Sequence, residues 1–165
     1  MFHIVDDNLI GSRNTAKIVN LFNEPSMSFS SAIDYLEYVK SPDYQKPSAI
    51  FTDVFMYKMD GYEMIEKILA IYPDQKFVVI SGRPDLEHPF KKRACFYLTK
   101  PFYIRDIEKI ISEVRKCEQE GPSLESKCAT TICACSEFTL SDWKCPHAAK
   151  PKRGKAKKVV SRLKT

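Results

Sequence analysis

The sequence predicts a doubly wound α/β domain, a parallel sheet covered by helices on both faces. Through residue 116, short apolar runs alternate with stretches of helical period. Phe77 to Ile80 is an unbroken apolar run, as expected for a central parallel strand buried on both sides. At 165 residues and 44% hydrophobic composition, the chain can bury one real core, which excludes collagen-like, wholly disordered and repeat-array architectures.

Taken in order, Phe2 to Val5 is the first strand. Leu9 to Phe22 follows with Leu9, Ile10, Ala16, Ile18, Val19, Leu21 and Phe22 coating one side of a helix. Met27 to Phe29 is a brief second strand, and Ser30 or Ser31 can cap the helix that carries Ile33, Leu36, Tyr38 and Val39. Pro42 and Pro47 end that helix and open a loop. Ala49 to Thr52 is the third strand. The Asp60-Gly61 turn starts a helix with Met64, Ile65, Ile68, Leu69 and Tyr72 on its core face, and Pro73 stops it. After the strand Phe77 to Ile80, Pro84 and Pro89 leave room only for a short, irregular helix before the fifth strand, Cys95 to Thr99. Ile104, Ile107, Ile110, Ile111 and Val114 then mark a last amphipathic helix to Arg115. The expected total is five strands and five helical segments.

Beyond this point the composition changes. Residues 1–120 read as one domain, 121–149 as a Cys-rich extension, and 150–165 as a basic tail expected to be disordered. All 21 acidic residues precede Lys144, whereas the stretch from Lys144 to Thr165 holds nine Lys or Arg. A mildly acidic domain therefore carries a strongly basic end. No run of residues suits a membrane span or a secretory leader, so the chain is expected to be cytoplasmic, with no membrane partner. Its six Cys are then expected to be thiols or metal ligands rather than a disulfide framework. Cys95 reads as a small core residue.

Three carboxylates fall just past strand ends, Asp6 and Asp7 after the first strand and Asp53 after the third. The carboxyl ends of strands in an open parallel sheet line the crevice where ligands bind, so the three should converge. Two unit charges about 4 Å apart repel by about 4 kcal/mol at an effective dielectric near 20, so the trio needs cations. Lys100, ending the fifth strand, offers one positive charge. A hard divalent ion such as Mg²⁺ suits the rest. Ser81 places a hydroxyl on the same rim. Asp, Mg²⁺, Lys and a hydroxyl together equip a site for phosphoryl transfer to a carboxylate, and Asp53, the central acid, is the expected nucleophile.

Four segments, His3-Ile4-Val5-Asp6-Asp7-Asn8, Ile50-Phe51-Thr52-Asp53 with Met56, Met59, Asp60 and Gly61, Val79-Ile80-Ser81-Gly82, and Tyr97-Leu98-Thr99-Lys100-Pro101-Phe102, occur in this order. Through these motifs the chain resembles the receiver domain of two-component response regulators over about residues 1–116. The resemblance implies a flavodoxin-like sheet of order 2-1-3-4-5, with Asp53 as phosphoacceptor. It implies that Asp7 binds Mg²⁺ directly, Asp6 through water, and the backbone carbonyl of Phe55 as a further ligand. Ser81 and Lys100 would hold the phosphoryl group, Tyr97 would swing inward as Ser81 moves, and Lys100-Pro101 would be cis. A histidine kinase or phosphotransfer protein would be the donor and a downstream effector protein the reader. Such a protein is a signalling switch rather than an enzyme, although it can hydrolyse its own aspartyl phosphate.

Some positions depart from the pattern. Tyr57 stands where the family usually has Pro, the interval from Ser81 to Lys100 is short, and Arg93-Ala94 replaces the usual Gly-Ala. Phe55 and Arg83 occupy positions that tune loss of the phosphoryl group in the family. A bulky Phe55 could exclude attacking water, which predicts a slowly hydrolysing phosphoaspartate.

In the extension, Cys128, Cys133, Cys135, Cys145 and His147 offer soft ligands for Zn²⁺. Redox-active or disulfide-forming thiols, or thiols with no role, are the alternatives. The basic end could attract nucleic acid by counterion release, although it carries no aromatic to stack on bases. Two competing functions follow: a metal-stapled nucleic-acid-binding adaptor using the domain as scaffold, and a Mg²⁺-dependent phosphohydrolase. The second is disfavoured by the first strand ending Asp6-Asp7-Asn8, not Asp-x-Asp.

Overall fold

The apolar runs are strands and the periodic stretches are helices in the computed structural model, which describes residues 1–82, 94–120 and 131–132. In chain order these are β1 (Phe2–Val5), α1 (Leu9–Leu21), β2 (Ser26–Phe29), α2 (Ala32–Lys40), β3 (Ala49–Asp53), α3 (Gly61–Ile71), β4 (Phe77–Ser81), β5 (Phe96–Thr99), α4 (Ile104–Glu120) and β6 (Thr131–Ile132). All pairings are parallel, and the predicted five strands lie in the order 2-1-3-4-5.

Strand alternation divides the core in two. Phe2, Ile4, Phe51, Val78, Ile80 and Leu98 pack with Val19 of α1 and Ile107, Ile110 and Val114 of α4. On the opposite face Ile50, Phe77 and Val79 pack with Tyr35 and Leu36 of α2 and with Met64, Ile65 and Ile68 of α3. β4, with apolar neighbours on both sides, is buried along its whole length, as its unbroken run predicts. β2 at the edge is only partly buried, which suits its two serines.

Side-chain caps set where the helices begin. Asn8 Oδ1 accepts from the N–H groups of Ile10 and Gly11 at 3.0 Å each, Ser31 Oγ from Asp34 N–H at 3.0 Å, and Asp60 Oδ1 from Glu63 N–H at 2.8 Å. Each such cap stabilises its helix by about 1 kcal/mol. Because Asn8 caps α1, neither Asp6 nor Asp7 is used for that purpose.

The structure corrects several boundaries. The last helix runs past Arg115 to Glu120, because Cys117 continues the apolar stripe of Ile110 and Val114 into the core. Cys117 is therefore a core residue of the domain. Cys95 is buried as expected but precedes β5, its N–H donating to Phe77 O at 2.8 Å. The sheet gains a sixth strand where only an extension was expected. Thr131 and Ile132, β-branched residues suited to a strand, pair with Tyr97 and Leu98 at the open edge of β5. The short helix expected after Ser81, Arg83, the candidate zinc ligands Cys128, Cys133, Cys135, Cys145 and His147, and the basic tail lie outside the described residues. Among the described residues, no helix is long and apolar enough to cross a membrane.

Candidate functional site

The ladder registers bring the acids to one edge of the sheet. Val5 is level with Thr52, Asp53 with Ile80, and Ser81 with Thr99, so the residues that leave β1, β3, β4 and β5 meet at their carboxyl ends. Lys100 is held there by its own backbone, its N–H donating to Ser81 O at 2.8 Å. Its side chain turns inward. Nζ donates to Asp53 Oδ1 at 3.0 Å and to Asp6 Oδ2 at 3.2 Å. The Lys100–Pro101 peptide is cis.

Asp6, Asp7 and Asp53 each offer a carboxylate oxygen within 4.8 Å of the others. Asp6 and Asp53 are buried, whereas Asp7 is exposed. Asp6 Oδ1 accepts from Asn8 N–H at 2.8 Å, and Asp7 Oδ2 accepts from Tyr57 N–H at 3.0 Å. Burial raises the pKa of Asp53 above the ordinary carboxylate value, an effect that the hydrogen bond and charge of Lys100 partly oppose. Burial alone would lower that of Lys100, but its bonds to Asp53 and Asp6 outweigh this and hold it above the ordinary lysine value. The carboxylates thus hold Lys100 charged, whereas Lys100 offsets only part of the effect of burial on Asp53.

The loop after β3 depends on Gly61. Its N–H donates to Val54 O at 2.9 Å, and a Cβ at this position would lie 2.1 Å from the backbone oxygen of Asp53. Thr52 Oγ1 donates to the same oxygen at 2.9 Å. Asp53 is consequently fixed from its main chain as well as through its carboxylate.

Three carboxylates against one ammonium leave an excess of negative charge and a set of hard oxygen donors. That donor set fits Mg²⁺, which takes one or two carboxylates and keeps positions for water or phosphate oxygens. Alongside lies a cavity of about 530 Å³, lined by Asp6, Gly11, Thr15, Lys100, Phe102 and Ile104 among others.

The structure thus joins Asp6, Asp7, Asp53 and Lys100. Ser81 is buried at the end of β4 on the same rim, and Tyr97 is half-buried in β5, packed against the core under α2 and α3. Phe55 lies in the loop after β3 and is 59% exposed. Sequence reasoning did not identify Asn8 as the cap that leaves both aspartates to the crevice, although an Asn directly before a periodic stretch is a usable signal. The Tyr57 N–H had a single indirect signal, Tyr standing where the receiver pattern usually carries Pro, which has no N–H.

Comparison with known proteins agrees with this fold. Residues 2–112 match the response regulator receiver domain family. Among curated relatives, the response regulator receiver protein CpdR of Brucella abortus is 35% identical over 75 residues, 42% of this chain and 58% of CpdR. The transcriptional regulatory protein YesN of Bacillus subtilis is 35% identical over 80 residues, 44% of this chain and 22% of YesN. The chain thus spans little more than half of one relative and about a fifth of the other. A CheY-like receiver domain protein from Methanospirillum hungatei superposes with a TM-score of 0.64 at 26% identity, covering 73% of this chain and 97% of the other.

Proposed function

Because the chain belongs to the response regulator receiver domain family, we propose that Asp53 accepts a phosphoryl group, in a Mg²⁺-dependent reaction, from a histidine kinase or phosphotransfer protein. The observation that carries this reading is the Lys100 ammonium bonded to both Asp53 and Asp6. A buried carboxylate beside a fixed cation and two further acids is built to receive a charged group rather than to pack. Asp6, Asp7, Asp53 and the backbone carbonyl of Phe55 would hold Mg²⁺, which supplies neutralising charge to the phosphoryl oxygens.

In the transfer, a carboxylate oxygen of Asp53 attacks phosphorus in line. The P–N bond of the donor phosphohistidine breaks, and the imidazole leaves with the electron pair. Lys100 then pairs with a phosphoryl oxygen, and Ser81 donates its hydroxyl to another. Movement of Ser81 draws Tyr97 inward, so that the surface around β5 presents a changed shape to an effector protein. Receiver domains are generally signalling proteins rather than enzymes, and the only turnover proposed here is hydrolysis of the protein's own aspartyl phosphate.

Incubation with acetyl phosphate and Mg²⁺, read by intact mass, tests the assignment. The native protein gains one phosphoryl unit and Asp53→Asn gains none; labelling of both would refute the site. Phe55, two residues beyond Asp53 and exposed, would exclude attacking water by folding its side chain over the phosphoaspartate, which predicts slow decay of the adduct. Decay within seconds at neutral pH would contradict that role.

A further inference from the structure

Resting on the Mg²⁺-site reading above, we propose that the backbone N–H of Tyr57 is a positioning group for Asp7. It holds the one exposed carboxylate of the cluster over the crevice and so tightens Mg²⁺ binding.

The three acids are not held alike. Asp6 and Asp53 are buried and both accept from Lys100, and Asp6 also accepts from Asn8 N–H. Asp7 is exposed and makes no ion pair among the described residues. Left alone, an exposed carboxylate turns toward water. Its tie is the Tyr57 N–H, 50 positions away in sequence, donating to Oδ2 at 3.0 Å. The bond leaves Oδ1 uncommitted while one Asp7 oxygen stays within 4.8 Å of the other two acids.

The same bond fixes the loop between Asp53 and Asp60. That loop also carries Phe55, whose carbonyl is the fourth proposed ligand, so one hydrogen bond sets two ligands from different segments. The Tyr57 side chain does not contribute, since the residue is 76% exposed and its ring's contact is with Lys58 Nζ, 5.4 Å from the ring centre. The proline that the receiver pattern usually carries here has no N–H to give. The donor therefore comes with this chain's departure from that pattern.

The measurement is Mg²⁺ affinity of the full chain by isothermal titration, with circular dichroism as the check on folding. Y57P, which removes the donor, should bind Mg²⁺ about tenfold more weakly than the native protein, the scale for losing a partner that orients a metal ligand. Y57A keeps the N–H and should bind as the native protein does. Equal affinity for Y57P and Y57A overturns the inference, as does equal weakening of both. Absence of saturable Mg²⁺ binding in the native protein would instead overturn the functional reading, and this inference with it. Should Y57P fail to fold, amide hydrogen exchange decides. The Tyr57 amide should exchange about tenfold more slowly in the native chain than in Asp7→Ala, and equal rates would refute the bond.

Discussion

His3 and Asp6 stand three residues apart, one within β1 and one just beyond it, and both are buried. Asp6 meets a cation, Lys100 Nζ at 3.2 Å. His3 meets only rings: Phe29, Tyr35, Tyr38 and Tyr44 surround it with centroids 5.6–6.2 Å away. Its Nδ1 shares a 2.9 Å hydrogen bond with the Tyr35 hydroxyl, and its Nε2 has no partner among the described residues. Burial, helped by the nearby terminal ammonium, lowers its pKa to about 4, so the ring is neutral at physiological pH. The difference teaches that a buried group keeps its charge only where tertiary structure delivers an opposite one. Elsewhere the group is switched off and used for packing.

The strongest test of this contrast lies in the ring cage. Tyr35 is fully buried, so Tyr35→Ala should lower stability by about 3–5 kcal/mol, seen as a shift of the urea midpoint, whereas Tyr35→Phe removes only the hydroxyl and should cost about 1 kcal/mol. If the two variants unfolded alike, the cage would not be held by packing.

Next in size is a pH effect. The folded pKa of His3 lies below its unfolded value near 6.5, so the unfolded chain binds more protons between the two. The contribution is present above pH 6.5 and is lost as pH falls toward 4, a decline on the order of 3 kcal/mol. Comparing the pH dependence of native protein and His3→Phe isolates it. Equal slopes across that window would show that His3 is not buried neutral.

The smallest effect has the opposite sign. Burial raises the Asp53 pKa, so its ionised form opposes folding. Asp53→Asn should move the urea midpoint upward at neutral pH, leaving Lys100 paired with Asp6. A lower midpoint would mean that the site stabilises the fold after all. A higher midpoint would mean that the cage contributes stability which the acidic crevice consumes for function.

Much of the site was legible because its members announce themselves locally. Asp6, Asp7, Asp53, Ser81 and Lys100 each follow an apolar run, and the chemistry of convergent acids beside a lysine can be inferred without coordinates. His3 gave no such warning. In the sequence it is one letter of a strand motif, and its cage is assembled from α2, the loop after it and β2. The extent of α4 was missed for a related reason: the apolar stripe reads as ending at Val114 until Cys117 is seen buried with Ile110 and Val114.

The sequence by itself determined five of the strands, the helices between them and the end of the sheet where the carboxylates would lie. These depend on periodicities and turn residues a few positions apart. Only the tertiary structure decided which charges meet. Lys100 reaches Asp6 across 94 positions, Tyr57 N–H reaches Asp7 across 50, and His3 is sealed among rings from three segments. Burial and Coulomb energy depend on distance in space, and no local pattern encodes that distance.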